Sequence, residues 1–587
     1  MNKNLTTAQN DYAVFLPATS GFYATFIGKQ RYGNYVDPAR LPASFTNGVE
    51  SLNYLEPDKG LFYYKWCLYS AGHANLDLSK FDESEDMFRN RDRSTSWVLG
   101  DSGGFQIGKG VWEGEWKDPT STEVQAKMAE CIAKGIETVP VLDDQGNPIT
   151  DKKGKVKTVK VDHAKVYQAQ LDAAQKKREQ VLAWMDALMD YGMVLDIPAW
   201  VRRSPEGSKA TGITDYQQAV EATKYNNEYF VKHRNGNCKF LNVLQGESFS
   251  EADDWYDQMK HFCDPKVYPT NHFNGWAMGG QNMCDVHLVL KRLVALKFDG
   301  LLEQGVQDWM HFLGTSKLEW AVLLTDIQRS VRKYHNPNFT ISFDCASPFL
   351  ATANGQIYIL TETPPGEKWV YRMVPSADDK KYATDTRLFK DAVVQDKVFK
   401  HKTNKSEWYN FESSPLIDQV QMKDICIYAP GDLNKIGKEG TTSWDSFSYA
   451  IQMGHNVWHH INAVQEANRQ SDQGVYPAML SLADANKKKY MQSEHGDYFR
   501  EIVDKIFSAT NRADAEDIIE KHKSYWMSIP GTRGAVGQKT LNTQQTFDIF
   551  FEDSSATVEQ VDDEFSEEEI HKLEELEEGL HDEKRLQ

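Results

Sequence analysis

The stretch WVLGDSGGFQ, Trp97 to Gln106, joins a short apolar run to a cluster of polar residues and glycines. A strand that ends in Asp-Ser-Gly-Gly places a carboxylate, a hydroxyl and two unobstructed backbone N–H groups at one point, where a flat ligand can approach the main chain. Phe105 and Gln106 add an aromatic face and an amide within one turn. Such a site could hold a planar heterocycle by its hydrogen-bonding edge, although Asp-Ser-Gly-Gly alone is also typical of a tight turn.

A second strand-end motif, ISFDCASP, lies at Ile341 to Pro348. Asp344 sits where an apolar strand meets small residues and a proline, and an aspartate at such a break is also typical of a helix N-cap. Parallel α/β barrels carry their chemistry at the carboxyl ends of their strands, so Asp101 and Asp344 can converge there. Together the two motifs favour a site that contains two carboxylates.

The body of the chain alternates short apolar strands with helical stretches. The pattern predicts strands near 193–195, 240–244, 275–278, 310–313 and 339–343, and helices near 215–233, 251–262, 284–296 and 318–334. This βαβα order is typical of a parallel sheet, with enough units for a barrel. We expect an α/β fold with a (β/α)8 TIM barrel over residues 1–350, with insertions and a C-terminal mixed or helical region.

Four other segments differ from the barrel in composition. A hairpin insertion near 138–161 carries five lysines, residues 351–440 form a strand-rich insertion, residues 441–551 are mostly helical, and residues 552–587 form an acidic tail. The tail has 15 acidic and 3 basic residues, a charge of −12 within the chain's net −19. Its charge favours a solvated tail, or else an arm that competes with nucleic acid for a basic groove or docks a partner.

Length and composition exclude several classes of protein. At 587 residues the chain exceeds a single compact core. It has no apolar stretch long enough for a transmembrane helix, and its first residues lack the apolar region of a signal peptide. Seven scattered cysteines without a CxxC pair are typical of a reducing compartment. We therefore expect a cytoplasmic protein with no membrane partner.

Six predicted strand ends form a series along the chain. They read LGDSGGFQ (99–106), VLDIPAW (194–200), VLQGES (243–248), AMGGQ (277–281), FLGTS (312–316) and SFDCASP (342–348). In order and rough spacing the series resembles the tRNA-guanine transglycosylase superfamily, which uses a (β/α)8 barrel to exchange guanine for a 7-deazaguanine. The resemblance covers about residues 60–350 and is most specific at DSGGFQ and at FDCxxP.

The resemblance implies a role for each matched residue. Asp344 would be the nucleophile and Asp101 the general acid/base. The base-binding residues would be Ser102, Phe105, Gln106, Asp196, Gln245, Gly246, Gly279, Gly280 and Leu313. Two displacements at C1′ with a carboxylate nucleophile would exchange the base with retained configuration, as in retaining glycosidases. An aspartate on the edge of guanine would match its N1–H and exocyclic amine, and access to C1′ in a duplex would require base flipping.

Two features depart from the family pattern. Only Cys426 follows Cys345, so the family's zinc site of three cysteines and a histidine cannot form as usual, and we expect no metal or other cofactor. The segment MGHNVWHHINAVQEANR, 453–469, is similar to the family's helix after that site, and we expect its histidines, His455, His459 and His460, to be surface or partly buried. The arginines that grip tRNA after the nucleophile are absent, because the chain reads SPFLATANG there.

These departures favour the DNA-modifying, DpdA-like branch of the family. The implied activity is a pentosyltransferase that exchanges guanine in DNA for a preQ0-like 7-deazaguanine through a covalent Asp–deoxyribosyl intermediate, in a phage protein acting in the host cytoplasm, with a possible helper protein. Candidate phosphate contacts are Arg202 and Arg203, the hairpin residues Lys152, Lys153 and Lys155, and the run 397–405, each of which could equally be a solvated surface.

Three alternatives remain open at the level of sequence. The chain could be a zinc-less tRNA-guanine transglycosylase whose insertions replace the lost contacts. It could be a non-catalytic nucleic-acid-binding subunit, although a degenerate subunit would have no need of both Asp101 and Asp344. It could also be an unrelated barrel hydrolase that uses the same two carboxylates with water as the acceptor.

Overall fold

The fold is described from a computed structural model. It describes residues 4–9, 11–32, 36–80, 86–142, 146–280, 285–315, 317–395, 411–427, 442–481, 498–527 and 529. The acidic tail at 552–587 and the lysine run at 397–405 lie outside these residues, so the predictions made for them remain predictions.

Eight parallel strands form the central sheet in the order β1-β10-β9-β8-β7-β6-β3-β2. The strands are β1 (Val14–Pro17), β2 (Trp66–Ser70), β3 (Trp97–Asp101), β6 (Tyr191–Met193), β7 (Lys239–Leu244), β8 (Gly275–Met278), β9 (Trp309–Phe312) and β10 (Thr340–Cys345). The sheet closes between its first and last strands, where Ala18 bridges Leu68 and the N–H of Thr19 donates to the Leu68 carbonyl at 2.9 Å. The predicted (β/α)8 barrel is confirmed.

Helices follow the barrel strands and cover the outside of the sheet. In chain order they are α1 (Gly21–Tyr32), α2 (Asp86–Arg89), α3 (Gly104–Gly108), α4 (Thr122–Lys134), α5 (His163–Leu188), α6 (Pro205–Thr211), α7 (Tyr216–His233), α8 (Phe249–Met259), α9 (Val286–Phe298), α10 (Leu318–Tyr334) and α11 (Ser347–Ala353). Because both faces of the sheet are covered, nearly every strand residue is buried, and the strands are runs of apolar residues without a polar face.

Two small antiparallel sheets and seven more helices complete the described chain. The sheets pair β4 (Ile136–Pro140) with β5 (Thr158–Asp162), and β11 (Gln356–Glu362) with β12 (Val370–Pro375). The helices are α12 (Phe389–Gln395), α13 (Met422–Ile425), α14 (Ser446–Asp472), α15 (Ala478–Ser481), α16 (Tyr498–Ser508), α17 (Arg512–Lys521) and α18 (Lys523–Trp526). Within the described part of 351–440 the strands are β11 and β12, and the other described residues form turns, irregular chain and short helices.

One apolar core extends from Leu5 to Ile529 and joins the barrel to the C-terminal helices. A separate small core of Val124, Tyr167 and Leu171 lies between α4 and α5. The segments after residue 350 therefore pack on the barrel directly. No helix in the described residues combines the length and apolarity needed to cross a membrane.

Four large aromatic rings fill the amino-terminal end of the barrel. Trp309 stacks on Trp97 with ring centroids 4.4 Å apart, and Trp66 and Tyr191 lie against the same pair. Each of the four begins a strand, so the rings close the barrel at the end opposite to Asp101 and Asp344. The open end of the barrel is the end that carries the carboxylates.

Candidate active site

Three aspartates from different strands meet at the carboxyl end of the barrel. Asp101 ends β3, Asp344 is the second-to-last residue of β10, and Asp196 follows β6. The negative charge of Asp344 contributes to the raised pKa of Asp101, and the charge of Asp101 contributes in turn to that of Asp196. The three carboxylates therefore lie within electrostatic reach of one another.

Asp344 is held through one of its two oxygens. Its Oδ1 accepts hydrogen bonds from Nε2 of His311 and from the backbone N–H of Gly314, both at 3.0 Å. No described residue forms a hydrogen bond with Oδ2. The side chain keeps 13% of its surface exposed, so the second oxygen can be reached from the open end of the barrel. This arrangement fixes the carboxylate and leaves one oxygen for a ligand.

A buried hydrogen-bonded chain runs from the aromatic end of the barrel to Asp344. Nε1 of Trp309 donates to Oγ of Ser342 at 2.8 Å, and that hydroxyl lies 2.9 Å from Nδ1 of His311. Because the carboxylate of Asp344 can only accept, Nε2 of a neutral His311 carries the proton and Nδ1 accepts from Ser342. The sequence reasoning named neither His311 nor Ser342. A polar residue next to Phe312 and Phe343 in an otherwise apolar strand marks each one singly as a candidate, but it does not predict that the two meet.

Asp101 lies in the pocket as a half-buried acid. Burial raises the pKa of its carboxyl, a hydrogen bond from Ser70 opposes that rise, and the charge of Asp344 adds to it. The Ser70 hydroxyl donates to Oδ2 at 2.6 Å from the paired position on β2. A raised pKa makes the carboxyl of Asp101 a better proton carrier than an ordinary aspartate, as general acid–base chemistry requires.

Asp196 is a buried acid with a raised pKa. Burial, together with the charge of Asp101, raises its pKa to about 7 against the opposing hydrogen bond from Gln245. Nε2 of Gln245 donates to Oδ2 of Asp196 at 2.8 Å. The predicted base-edge residues Asp196 and Gln245 are therefore in direct contact and form one buried acceptor–amide pair.

Four glycines allow the main chain to approach these side chains closely. A Cβ on Gly104 would lie 3.0 Å from Oδ1 of Asp196, and one on Gly279 would lie 2.8 Å from Nε2 of Gln245. Gly280 has φ +54°, and a Cβ there would lie 2.6 Å from the carbonyl oxygen of Gly246. This wall of the pocket is backbone, which suits a flat ligand.

The remaining predicted base-binding residues lie on the same end of the barrel. Ser102 is buried directly after Asp101, and Leu313 packs half-buried at the end of β9. Phe105 faces Trp200 with ring centroids 5.9 Å apart, and the ammonium of Lys109 lies 5.4 Å from the Phe105 ring. These half-buried rings are an apolar surface beside the three carboxylates.

Gln106 is packed tightly against the turn that follows Ser70. A Cβ on Gly72 would lie 2.3 Å from the Gln106 amide carbon, so the glycine leaves the space that this side chain fills. The Oε1 atom of Gln106 is buried without a hydrogen-bond partner among the described residues. A buried amide oxygen without a donor is costly, and a ligand N–H would satisfy it.

Arg202 and Arg203, predicted as phosphate contacts, are engaged in ion pairs within the protein. Arg202 binds Glu247 and Glu251, each at 2.8 Å, and Arg203 also binds Glu247. Their short 3-10 helix, Ala199–Arg203, does lie beside Asp196 as expected. A phosphate would have to compete with two glutamates for these guanidinium groups.

The histidines of α14 are fully buried, which corrects the expectation of a surface or partly buried group. Nε2 of His455 donates to the carbonyl of Tyr358 at 2.8 Å, and the N–H of Ser414 donates to its Nδ1. His459 lies 2.7 Å from Glu412. The apolar β11–α14 packing accounts for the burial, since these rings stack on aromatic neighbours.

The residues around α14 do not fit a zinc site. Both ring nitrogens of His455 are already bonded to the protein, and Sγ of Cys426 points to the carbonyl of Ala377 at 3.1 Å. Within the described ranges no group of three or more His, Cys, Asp or Glu residues could hold a metal ion. The lack of a cofactor remains a prediction.

Comparison with known proteins adds no further identification. No protein-family model matches the sequence, and no curated protein matches it significantly.

Proposed function

We propose that this protein is a base-exchanging transglycosylase that replaces guanine in DNA with a 7-deazaguanine. The observation that supports it best is the convergence of Asp101, Asp196 and Asp344, each with a different environment, at the open end of a parallel barrel. One carboxylate is fixed with a free oxygen, one has the raised pKa of a proton carrier, and one is paired with an amide. These are the three parts that a two-step base exchange needs.

In the first step the free Oδ2 of Asp344 attacks C1′ of the deoxynucleotide. The bond between C1′ and N9 breaks, its electron pair goes to guanine, and Asp101 supplies the proton that neutralises the leaving base. In the second step the incoming base loses its N9 proton to Asp101 and attacks C1′, and Asp344 leaves. Two inversions retain the configuration at C1′.

Asp196 and Gln245 supply base recognition in this scheme. Guanine and preQ0-like bases share an edge with an N1–H, an exocyclic amine and a carbonyl oxygen. An ionised Asp196 accepts from the first two, while an amide such as Gln245 and the backbone of Gly279 and Gly280 donate to the carbonyl. The half-buried rings of Phe105 and Trp200, 5.9 Å apart, would offer an apolar surface for a base to stack on.

The proposal is tested by incubating the full-length protein with labelled guanine or preQ0 and either duplex DNA or tRNA. Incorporation of label into DNA by the wild type, and its loss in Asp344→Ala, would support the proposal. Asp186→Asn, a change at a buried aspartate on α5, is the control. Label that enters tRNA alone would assign the tRNA reaction instead. Release of free guanine without exchange would indicate a hydrolase.

A further inference from the structure

A two-stranded ribbon inserted between β3 and β6 extends away from the barrel. We call residues 136–162, described except for 143–145, the ribbon arm. Beyond the β4–β5 pair it continues as a meander, in which the N–H of Val141 donates to Lys157 and the N–H of Lys157 donates to Ile149, both at 2.8 Å. A last turn closes where the N–H of Asp151 donates to the carbonyl of Lys155 at 2.8 Å.

Topology places the ribbon arm at the catalytic end of the barrel. Helix α5 returns from the arm to the start of β6 and has 26 residues, about 39 Å of helix. Its second half carries Val181 and Trp184 into the barrel core, whereas Tyr167 and Leu171 in its first half pack on α4. The amino-terminal half of α5 therefore projects beyond the carboxyl ends of the strands and carries the arm with it.

The base of the arm is anchored by a buried acid. The Tyr167 hydroxyl donates to Oε2 of Glu115 at 3.0 Å, and Lys127 lies 3.5 Å from the same carboxylate oxygen. The N–H of Glu115 also donates to the carbonyl of Gln170. These contacts tie α4, α5 and the chain after α3 together, so the arm has a defined direction relative to the pocket.

The five lysines of the arm equal its acidic residues in number over 136–162, but they are concentrated in residues 146–160. Residues 146–160 contain five lysines and one acid, Asp151, in a chain of net charge −19. The Asp151 carboxylate accepts from the backbone N–H groups of Lys153 and Lys155 at 2.8 and 3.0 Å. All five lysines are exposed, and none forms an ion pair with another residue in the described ranges: Lys152, Lys153, Lys155, Lys157 and Lys160. Arg202, by contrast, is neutralised by two glutamates.

Both faces of the ribbon are open to solvent. Ile136 keeps 67% of its surface exposed on one face and Val159 keeps 48% on the other. A two-stranded ribbon has little stability of its own, so its folding here depends on its base. A protruding two-stranded ribbon with aliphatic faces has the width to enter the major groove, and its exposed lysines can contact phosphates.

We propose that the ribbon arm binds the phosphate backbone of duplex DNA beside the nucleotide that enters the pocket. The identity of the nucleic acid rests on the proposed function, whereas the role of the arm rests on its exposed lysines and its position. The lysines would supply most of the electrostatic attraction, and Arg202 and Arg203 would stay paired with their glutamates.

The test compares two charge-matched variants of the full-length protein. The first is K152Q/K153Q/K155Q on the arm, and the control is K232Q/K239Q/K266Q, three exposed lysines at the amino-terminal end of the barrel. Binding to a labelled duplex is measured by fluorescence anisotropy at several salt concentrations. We expect the arm variant to bind at least about tenfold more weakly and to lower the salt slope by about 1 per lysine, with the control unchanged.

An unchanged affinity of the arm variant, or an equal loss in the control, would overturn the proposal. Binding of tRNA with no measurable binding of duplex DNA would also overturn it. Base exchange is measured separately at saturating DNA. If the arm variant loses affinity while the wild type exchanges no base, the proposed reaction fails and the role of the arm stands.

Discussion

Nε2 of His311 lies 3.0 Å from Oδ1 of Asp344. The imidazole ring of His311, whose other nitrogen faces Ser342, is fully buried. The proton on Nε2 points at the carboxylate because Nδ1 accepts from the Ser342 hydroxyl. His311 thus acts as a positioning residue for the proposed nucleophile. It holds one oxygen and leaves the other for C1′.

His311→Phe should lower kcat of base exchange by about 10- to 100-fold with little change in KM, since it removes a hydrogen bond to Asp344 and no contact with the base. His311→Gln, whose amide can donate to Asp344, should recover part of the loss. Steady-state kinetics of the two variants checks this. A large rise in KM with unchanged kcat would contradict the positioning role.

Binding of the free base should depend on pH through Asp196. The pKa of its carboxyl, raised chiefly by burial to about 7, keeps it partly protonated at neutral pH, and only the ionised form accepts from two N–H groups. Affinity for guanine should therefore increase as pH rises through about 7, and fall about tenfold per pH unit well below it. Calorimetric titrations from pH 5.5 to 8.5 measure this.

Asp196→Asn is the control for that titration. It should bind guanine more weakly and show a flatter pH profile, because the amide cannot ionise. A wild-type affinity that is constant with pH, or stronger in acid, would mean that Asp196 does not bind the base as a carboxylate.

Gly280→Ala should remove base binding and destabilise the fold, whereas Gly355→Ala should only destabilise it. Both positions have positive φ, +54° and +68°, so each substitution carries a backbone cost of about 1 to 2 kcal/mol. Only at Gly280 would the new Cβ meet backbone, 2.6 Å from the Gly246 carbonyl, while nothing lies within 4 Å at Gly355. Urea unfolding and guanine binding compare the pair, and equal effects would contradict the close approach.

The buried histidines should make the fold sensitive to acid. Burial lowers the pKa of His455 to about 3, so the folded state binds a proton on this ring at a lower pH than the unfolded state does. This contribution to the free energy of unfolding is complete above pH 6.5 and is lost as pH falls towards 3, by about 1.4 kcal/mol per pH unit. His455→Gln should reduce that slope in unfolding experiments, with the exposed His233→Gln as control. An unchanged slope in His455→Gln would contradict the account.

Strand positions could be predicted because apolar runs such as Phe240–Leu244 are buried on both faces and end in polar or glycine residues. The site residues at those strand ends could be located for the same reason, since Asp101 is the last residue of β3 and Gln245 comes directly after β7. The chain from Trp309 through Ser342 to His311 could not, because pairing across β9 and β10 depends on register, which local sequence does not encode.

The charged residues were the hardest to interpret from sequence. Its place near Asp196 in the sequence predicts Arg202 as a phosphate contact, but its two glutamate partners are 45 and 49 residues away and meet it only in the fold. The burial of His455 likewise depends on β11 and Phe411, which the helical pattern of α14 does not reveal.

The central claim is that Asp344 forms a covalent bond with C1′ of a deoxynucleotide. The most direct measurement is mass analysis of peptides from protein quenched during incubation with guanine-containing DNA. We predict a sugar adduct on the peptide that contains Asp344, absent in Asp344→Ala and discharged when free guanine is added before quenching. An adduct on another residue, or base exchange that persists in Asp344→Ala, would contradict the claim.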